Sequence, residues 1–272
     1  MDMKSFAALL VERIKNKSPL IHNITNFVVM NSTANILLAL GASPVMAHCI
    51  KEVEEMTGLA DALVLNIGTL QEDWVESMIL AGKAANRKGI PVVLDPVGSG
   101  ATKFRTDTVR RIMNEMAVSV LRGNASEIFS LSDTDVKTRG VDSSLGLNPE
   151  MADSIQTLAQ DLSCIIAVSG PEDMIIDGRD IIKVANGQPL MTRVTGIGCG
   201  LSAVVGAFCA ASGEDLLAAT AAAFGVYGLC GDLAIKISDK PGSFFTAFLD
   251  TLYGLEPEDI HAGLRVARVF GT

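Results

Sequence analysis

The sequence predicts an α/β fold: a mostly parallel central sheet flanked by helices, with one domain spanning residues 1–272 and a small hairpin at the sheet edge. Three observations lead there. Short apolar runs alternate with stretches of helical periodicity, the mark of βαβ units. Several runs, among them Ala62-Leu63-Val64-Leu65 and Val92-Val93-Leu94, are apolar at every position, as strands covered on both faces are. No linker, internal repeat or break in composition divides the chain.

The elements follow in order. Met1 to Lys17 mixes apolar and charged residues like an amphipathic helix. Pro19 to Ile24 reads as a strand, Val29 to Leu40 as a helix ended by Gly41, Ser43 to Ala47 as a short strand and Lys51 to Leu59 as a charged helix. After the strand Ala62 to Asn66 comes a helix, Gln71 to Lys88, with Trp74, Met78, Ala81 and Ala85 at helical spacing and Gly89 as its stop. Pro91 to Asp95 and Val118 to Leu121 are the next strands. Pro149 to Asp161 is helical, and Cys164 to Val168 is a buried strand. Asp173 to Asp177 and Ile181 to Ala185 form the edge hairpin, turned by Gly178-Arg179-Asp180. Thr195 to Gly213 and Leu216 to Gly231 carry no charge. They are rich in small residues and lack flanking basic anchors, which favours two closely packed core helices over membrane spans. A helical region ends the chain.

Composition narrows the function. Hydrophobic residues make up 49% and charged residues 19%, below the roughly 25% charge of an average domain, so a large core is available and disorder is excluded. Lys plus Arg number 22 against 31 Asp plus Glu, a net charge of −9 without a basic cluster. That excludes nucleic acid as a partner but leaves room for a small anion held by backbone amides and an arginine. Cys49, Cys164, Cys199, Cys209 and Cys230 form no CxxC pair and are odd in number, which argues against a disulfide framework and for reduced thiols in a cytoplasm. His22, His48 and His261 lie at no metal-binding spacing. The apolar run Phe6 to Val11 is too short for a signal peptide.

Ligands of open α/β sheets bind beyond the carboxyl ends of the strands. The residues there are Thr25-Asn26, Gly68-Thr69, Asp95-Pro96-Val97-Gly98, Arg122-Gly123-Asn124 and Ser169-Gly170. Asp95 reads either as a turn residue before Pro96 or as a site carboxylate, and Arg122 either as a solvated strand end or as a phosphate ligand. Asn124 and Glu127 have the spacing of a helix capping box, and with Asp95 nearby they equally suit a magnesium-phosphate site. Gly196-Ile197-Gly198-Cys199-Gly200 leads into an uncharged helix expected to begin near Gly200. Such a loop is either a tight turn for close packing or an anion site made of free amides and the positive end of the helix dipole. Cys199 is either a small buried hydrophobe or, if the helix end lowers its pKa below about 8.5, a base for a substrate hydroxyl.

Together, Ser18-Pro19-Leu20-Ile21-His22-Asn23-Ile24-Thr25-Asn26, Gly41-Ala42-Ser43-Pro44-Val45-Met46, Leu65-Asn66-Ile67-Gly68-Thr69, Leu94-Asp95-Pro96-Val97-Gly98, Arg122-Gly123-Asn124-Ala125-Ser126-Glu127 and Val194-Thr195-Gly196-Ile197-Gly198-Cys199 resemble the hydroxyethylthiazole kinases. The resemblance implies a ribokinase-like fold and an ATP- and magnesium-dependent kinase. Its substrate would be the primary hydroxyl of 5-(2-hydroxyethyl)-4-methylthiazole, in thiamine salvage, and its assembly a homotrimer with pockets at subunit boundaries. By the same resemblance Met46, Asn26, Val28, Gly68 and Gly196 line the acceptor pocket. Arg122, Ser169 and Asn124 contact the nucleotide, Asp95 and Glu127 serve the magnesium ion, and Cys199 and Gly198 face the reacting groups. The amides of Gly198, Cys199 and Gly200 would then stabilise the phosphoryl group in flight. Ser169 stands where relatives often have Thr, and Ile197 where Thr or Ala is usual. Alternatives are a kinase of the same fold for another small alcohol, such as a hydroxymethylpyrimidine, and a non-catalytic metabolite-binding relative.

Overall fold

The computed structural model describes residues 1–132 and 149–270. Among the described residues nine strands form one sheet in the order β2-β1-β3-β4-β5-β6-β7-β8-β9. The strands β1 (Leu20–Ile24), β2 (Ser43–Val45), β3 (Ala62–Asn66), β4 (Val92–Asp95), β5 (Val120–Asn124) and β6 (Ile165–Ser169) are parallel. The strands β7 (Asp173–Ile176), β8 (Asp180–Val184) and β9 (Val266–Phe270) continue the sheet antiparallel. The chain steps from β1 out to β2, then returns to β3 on β1's other side. That reversal opens a crevice at the carboxyl ends of β1 and β3, the switch point where α/β sheets bind ligands.

Alternation along the strands divides the core. Ile21, Val64, Val93, Val120 and Ala167 face one layer, and Leu63, Leu65, Leu94, Leu121 and Ile166 the other. The first layer holds α1 (Met3–Lys17), α2 (Met30–Leu40), α8 (Ile197–Ser212) and α9 (Leu216–Ile237). The second holds α3 (Val53–Leu59), α4 (Glu72–Lys88), α5 (Lys103–Glu115), α6 (Ala125–Phe129) and α7 (Pro149–Leu162). The small residues of α8 let it lie close on the sheet: a Cβ on Gly206 would sit 2.7 Å from Val64 Cγ2. α9 is long and apolar enough to cross a membrane, but 83% of its apolar window is buried inside the fold. α10 (Pro241–Tyr253) and α11 (Pro257–Gly263) lead to β9.

Four local expectations are corrected. The strand expected at Val118 to Leu121 runs from Val120 through Arg122, Gly123 and Asn124, because β6 pairs with all of them up to Asn124 opposite Ser169. α5 occupies a stretch where no element was expected; it is polar, with buried Thr108, Val109 and Ile112 on its inner side. The helical region expected at the C-terminus ends in β9, which pairs with β8, so the β7–β8 hairpin is not the sheet edge. α8 begins at Ile197 rather than near Gly200.

Candidate active site

The loop after β1, the carboxyl-end residues of β3, β4, β5 and β6 and the first two turns of α8 meet along this edge of the sheet. Beyond β1, Asn26 is buried and donates through Nδ2 to Asn66 Oδ1 at 2.8 Å. Asn66, the final residue of β3, also accepts from the Gly68 amide at 3.0 Å and donates through Nδ2 to Asp95 Oδ2 at 3.0 Å. Asp95 closes β4 and accepts from Ser202 Oγ of α8 at 2.7 Å. Arg122 in β5 sets Nη1 3.6 Å from the same carboxylate oxygen and 3.0 Å from the Gly198 carbonyl, to which it donates. Its Nη2 donates to Ser169 Oγ, at the end of β6, at 2.6 Å. Two hydrogen-bonded stretches, Asn26–Asn66–Asp95 and Arg122–Ser169, thus run from the end of β1 to β6, joined by the Asp95–Arg122 ion pair at 3.6 Å and anchored to α8 above. Arg122 is therefore no solvated strand end. It is buried, and its Nε has no hydrogen-bond partner among the described residues.

Glu127 completes the rim. Its Oε1 accepts from the Gly98 amide and its Oε2 from the Asn124 amide, both at 2.9 Å, while Asn124 Oδ1 accepts from the Glu127 amide at 3.0 Å. This is a capping box, and it joins the loop after β4 to the helix after β5. Each carboxylate oxygen keeps a lone pair beyond those bonds. Asp95 and Glu127 are close enough for Glu127's charge to raise the Asp95 pKa. Two oxygen donors of this kind suit a hard divalent cation that also takes water and phosphate. Among the described residues no group of three or more His, Cys, Asp or Glu forms a metal cluster.

The α8 terminus is shaped by glycine. Gly196 caps it at φ +94°, a left-handed conformation that other residues adopt only with strain, and a Cβ there would lie 2.3 Å from Ser32 Oγ. Gly200 donates to the Gly196 carbonyl at 2.7 Å, so its amide is used inside the helix and is not the third free donor expected. Gly198 and Cys199 precede that bond and keep orphan amides. A Cβ on Gly198 would meet nothing within 4 Å. Its missing side chain serves no packing among the described residues and leaves backbone open to a ligand.

Burial pushes Asp95 up to about 6, against the pull of Arg122, Ser202 and Asn66. Cys199 moves the opposite way from expectation. Burial first, then the neighbouring Asp95 charge, raises its thiol pKa, outweighing the side chain of Asn66, the charge of Arg122 and the amide of Asn26 at 3.7 Å.

On the acceptor side, Met46 is half-buried just past β2. His22 fixes its neighbour, Nε2 lying 2.6 Å from the Ala47 carbonyl, while Nδ1 lies 2.9 Å from Thr57 Oγ1. The His48 ring lies 4.4 Å from Trp74, which lies 4.6 Å from Phe27. Phe27 and Val28 are exposed, and the Val28 amide donates to Asn26 Oδ1 at 3.1 Å. A Cβ on Gly68 would lie 2.5 Å from Asn26 Cβ, so this wall is tight. Asn26, Asn66, Asp95, Arg122 and Ser169 are thus joined by hydrogen bonds and one ion pair, while Ala47 and His48, the two residues after Met46, contact His22 and Trp74. Sequence reasoning missed Asn66 and Ser202 as partners of Asp95, and the ring of His48, Trp74 and Phe27. Asn66 lay inside a recognised motif; Ser202 carried no signal beyond its place in α8.

A model of the hydroxyethylthiazole kinase family matches residues 11–258. The hydroxyethylthiazole kinase of Desulfotalea psychrophila is 53% identical over 266 residues, 98% of this chain and 97% of that one. The structure of the Pyrococcus horikoshii OT3 hydroxyethylthiazole kinase superposes with a TM-score of 0.88 at 42% identity, covering 97% of this chain and 99% of that one. A ribokinase-like superfamily protein from Enterococcus faecalis V583 matches with a TM-score of 0.64 at 14% identity over 92% of this chain and 95% of its own, a likeness of fold.

Proposed function

The chain belongs to the hydroxyethylthiazole kinase family, and on that premise we propose that it transfers the γ-phosphoryl group of ATP to the primary hydroxyl of 5-(2-hydroxyethyl)-4-methylthiazole. The products are 4-methyl-5-(2-phosphooxyethyl)thiazole and ADP, a step in thiamine biosynthesis and salvage. The observation that carries the reading is the chain Asn26–Asn66–Asp95–Arg122–Ser169 beneath the amino end of α8. It leads from Asn26, beside the exposed Phe27 and Val28, to the orphan amides at the start of α8.

Phosphoryl transfer is mostly positioning and charge stabilisation. Met46, Asn26, Val28 and Gly68 hold the thiazole alcohol, with Gly196 bordering it. Arg122, Ser169 and Asn124 hold the nucleotide, and the unpartnered Arg122 Nε is a donor ready for phosphate. The amides of Gly198 and Cys199 face the oxygens of the phosphoryl group in transit. Asp95 and Glu127 would hold a magnesium ion, which would supply charge neutralisation on the phosphates. The Cys199 thiol stays neutral and receives or donates a hydrogen bond at the acceptor hydroxyl. The assembly is a homotrimer in the cytoplasm with pockets at subunit boundaries, a reading supported by exposed Phe27 and Val28 beside the site.

ADP formation in a coupled assay tests the proposal. The thiazole alcohol should be turned over far better than a hydroxymethylpyrimidine or pyridoxal. No ADP with the thiazole alcohol at saturating ATP and magnesium would sink it.

A further inference from the structure

Arg105 sits in the third position of α5, after the N-cap Thr102. A cation there opposes the helix dipole, which favours acidic residues in the first turn, and this first turn contains none. The side chain is half-buried and leaves its own helix. Its Nη1 donates to two backbone carbonyls, Ile67 and Val97, each at 2.7 Å. Ile67 lies between Asn66 and Gly68, and Val97 lies one residue before Gly98, whose amide binds Glu127. The β3–β4 ladder makes its last bond from the Ile67 amide to the Asp95 carbonyl at 3.2 Å. Beyond it the two strands separate into the acceptor wall and the phosphate rim, and one guanidinium nitrogen spans the gap. Gly98, at φ +74°, presents its bare Cα to the same side chain: a Cβ would stand 3.1 Å from Arg105 Cδ.

We propose that Arg105 is a positioning residue for phosphoryl transfer. It clamps the Ile67 and Val97 carbonyls so that Gly68 and Asn66, on the acceptor side, keep a fixed separation from the Gly98–Glu127 rim. It touches neither reactant. Misplacement by about 1 Å at such a distance from the chemistry can cost roughly 100-fold in rate, so the clamp affects turnover more than folding. The inference rests on the function proposed above.

The test compares Arg105→Met, which keeps the stem against Gly98 but removes both donors, with Arg105→Lys, which retains a cationic donor. Arg87→Met, at an exposed pair with Glu54, is the control. Steady-state kinetics are measured below the unfolding transition, and hydrogen exchange of residues 67–70 and 96–100 is followed in the absence of substrates. The expected result for Arg105→Met is faster exchange in both segments, with kcat/KM for the thiazole alcohol falling roughly 10- to 100-fold and its KM raised. Arg105→Lys recovers part of both, and Arg87→Met matches wild type. If Arg105→Met does not fold, Arg105→Gln, too short to reach both carbonyls, takes its place under the same criteria. A folded variant with wild-type exchange, or with faster exchange but wild-type kcat and KM, overturns the proposal. Wild-type protein inactive on the thiazole alcohol defeats the proposed function instead; the exchange readout then decides the clamp alone.

Discussion

Asp95 combines three conditions that rarely coexist in a stable fold: it is 2% exposed, it lies near Glu127, and its one cationic neighbour, Arg122, stands 3.6 Å away. The folded carboxyl holds its proton up to about pH 6, whereas the unfolded chain releases it near the ordinary value of about 3.9. The folded state therefore binds more protons between these values, and stability falls as pH rises through that window; the full cost applies above it. Two pKa units correspond to about 3 kcal/mol. Asp95→Asn should stabilise the nucleotide-free protein at neutral pH by up to about 3 kcal/mol while abolishing most turnover. Urea unfolding at neutral pH and near pH 4 checks this: the gain must vanish at the acidic end. A less stable Asn variant at neutral pH would mean that Arg122 and the hydrogen bonds outweigh burial. Cys199 gives a second prediction. With its pKa raised, the thiol is a poor base, so Cys199→Ala should lose less than the roughly 10²–10⁴-fold of general-base catalysis, and Cys199→Asp should stay active. An Ala variant that binds nucleotide normally yet shows no turnover would make the thiol essential. These two residues also show what a sequence conveys. Their places after an apolar strand and a glycine loop were legible, but Cys199's pKa direction was not. Burial and the Asp95 charge raise it against Asn66, Arg122 and Asn26, and Asp95 is a neighbour that only the fold supplies.

The first turn of α8 separates packing from function within one element. Gly200 is confined: a Cβ would lie 2.4 Å from Ile36 Cδ1 and 3.0 Å from the Tyr227 hydroxyl, which donates to the Ile197 carbonyl. Gly198, two residues earlier, faces open space. Gly200→Ala should therefore destabilise the fold by about 1–3 kcal/mol through overpacking. Gly198→Ala should leave the unfolding midpoint unchanged or slightly higher, yet cut turnover by more than tenfold, because the new methyl occupies the approach to the orphan amides. Thermal unfolding beside the coupled assay separates the two; full activity in a stable Gly198→Ala enzyme would remove this turn from the anion site. At this scale the chain was legible wherever period and burial agreed. β3, β4 and β6 are apolar up to their last residues, Asn66, Asp95 and Ser169, and α4 keeps its helical stripe. α5 was not visible because only Thr108, Val109 and Ile112 are buried on it. β9 was not visible because its strand state depends on pairing with β8, distant in sequence. β5 was displaced because Arg122, Gly123 and Asn124 look like loop residues until β6 pairs with them.

For the whole molecule, the order β2-β1-β3-β4 matters more than any single element, since the reversal at β1 opens the crevice in which Asn26, Asn66 and Asp95 converge. The fold class followed from alternation of element types, whereas the strand order did not, because periodicity carries no information about which strands are neighbours. The same end of the sheet leaves unusual surface uncovered. Phe27 is 52% exposed, Val28 66% and Ile50 50%, all flanking the segments that carry the acceptor pocket. Large apolar groups gathered at a functional rim mark a contact surface more often than a solvated one. If those residues are covered by another copy of the chain, assembly and catalysis are coupled, because Val28 is bonded to the Asn26 side chain. The expected result from sedimentation velocity at micromolar concentration is a particle of three times the 28.6 kDa chain mass. Phe27→Glu should shift that particle toward monomer and lower activity in step, with dilution series of the wild type showing the same correlation. A stable wild-type monomer with full kcat at the lowest concentrations would separate the site from the assembly and leave the exposed rim to the bound substrate alone.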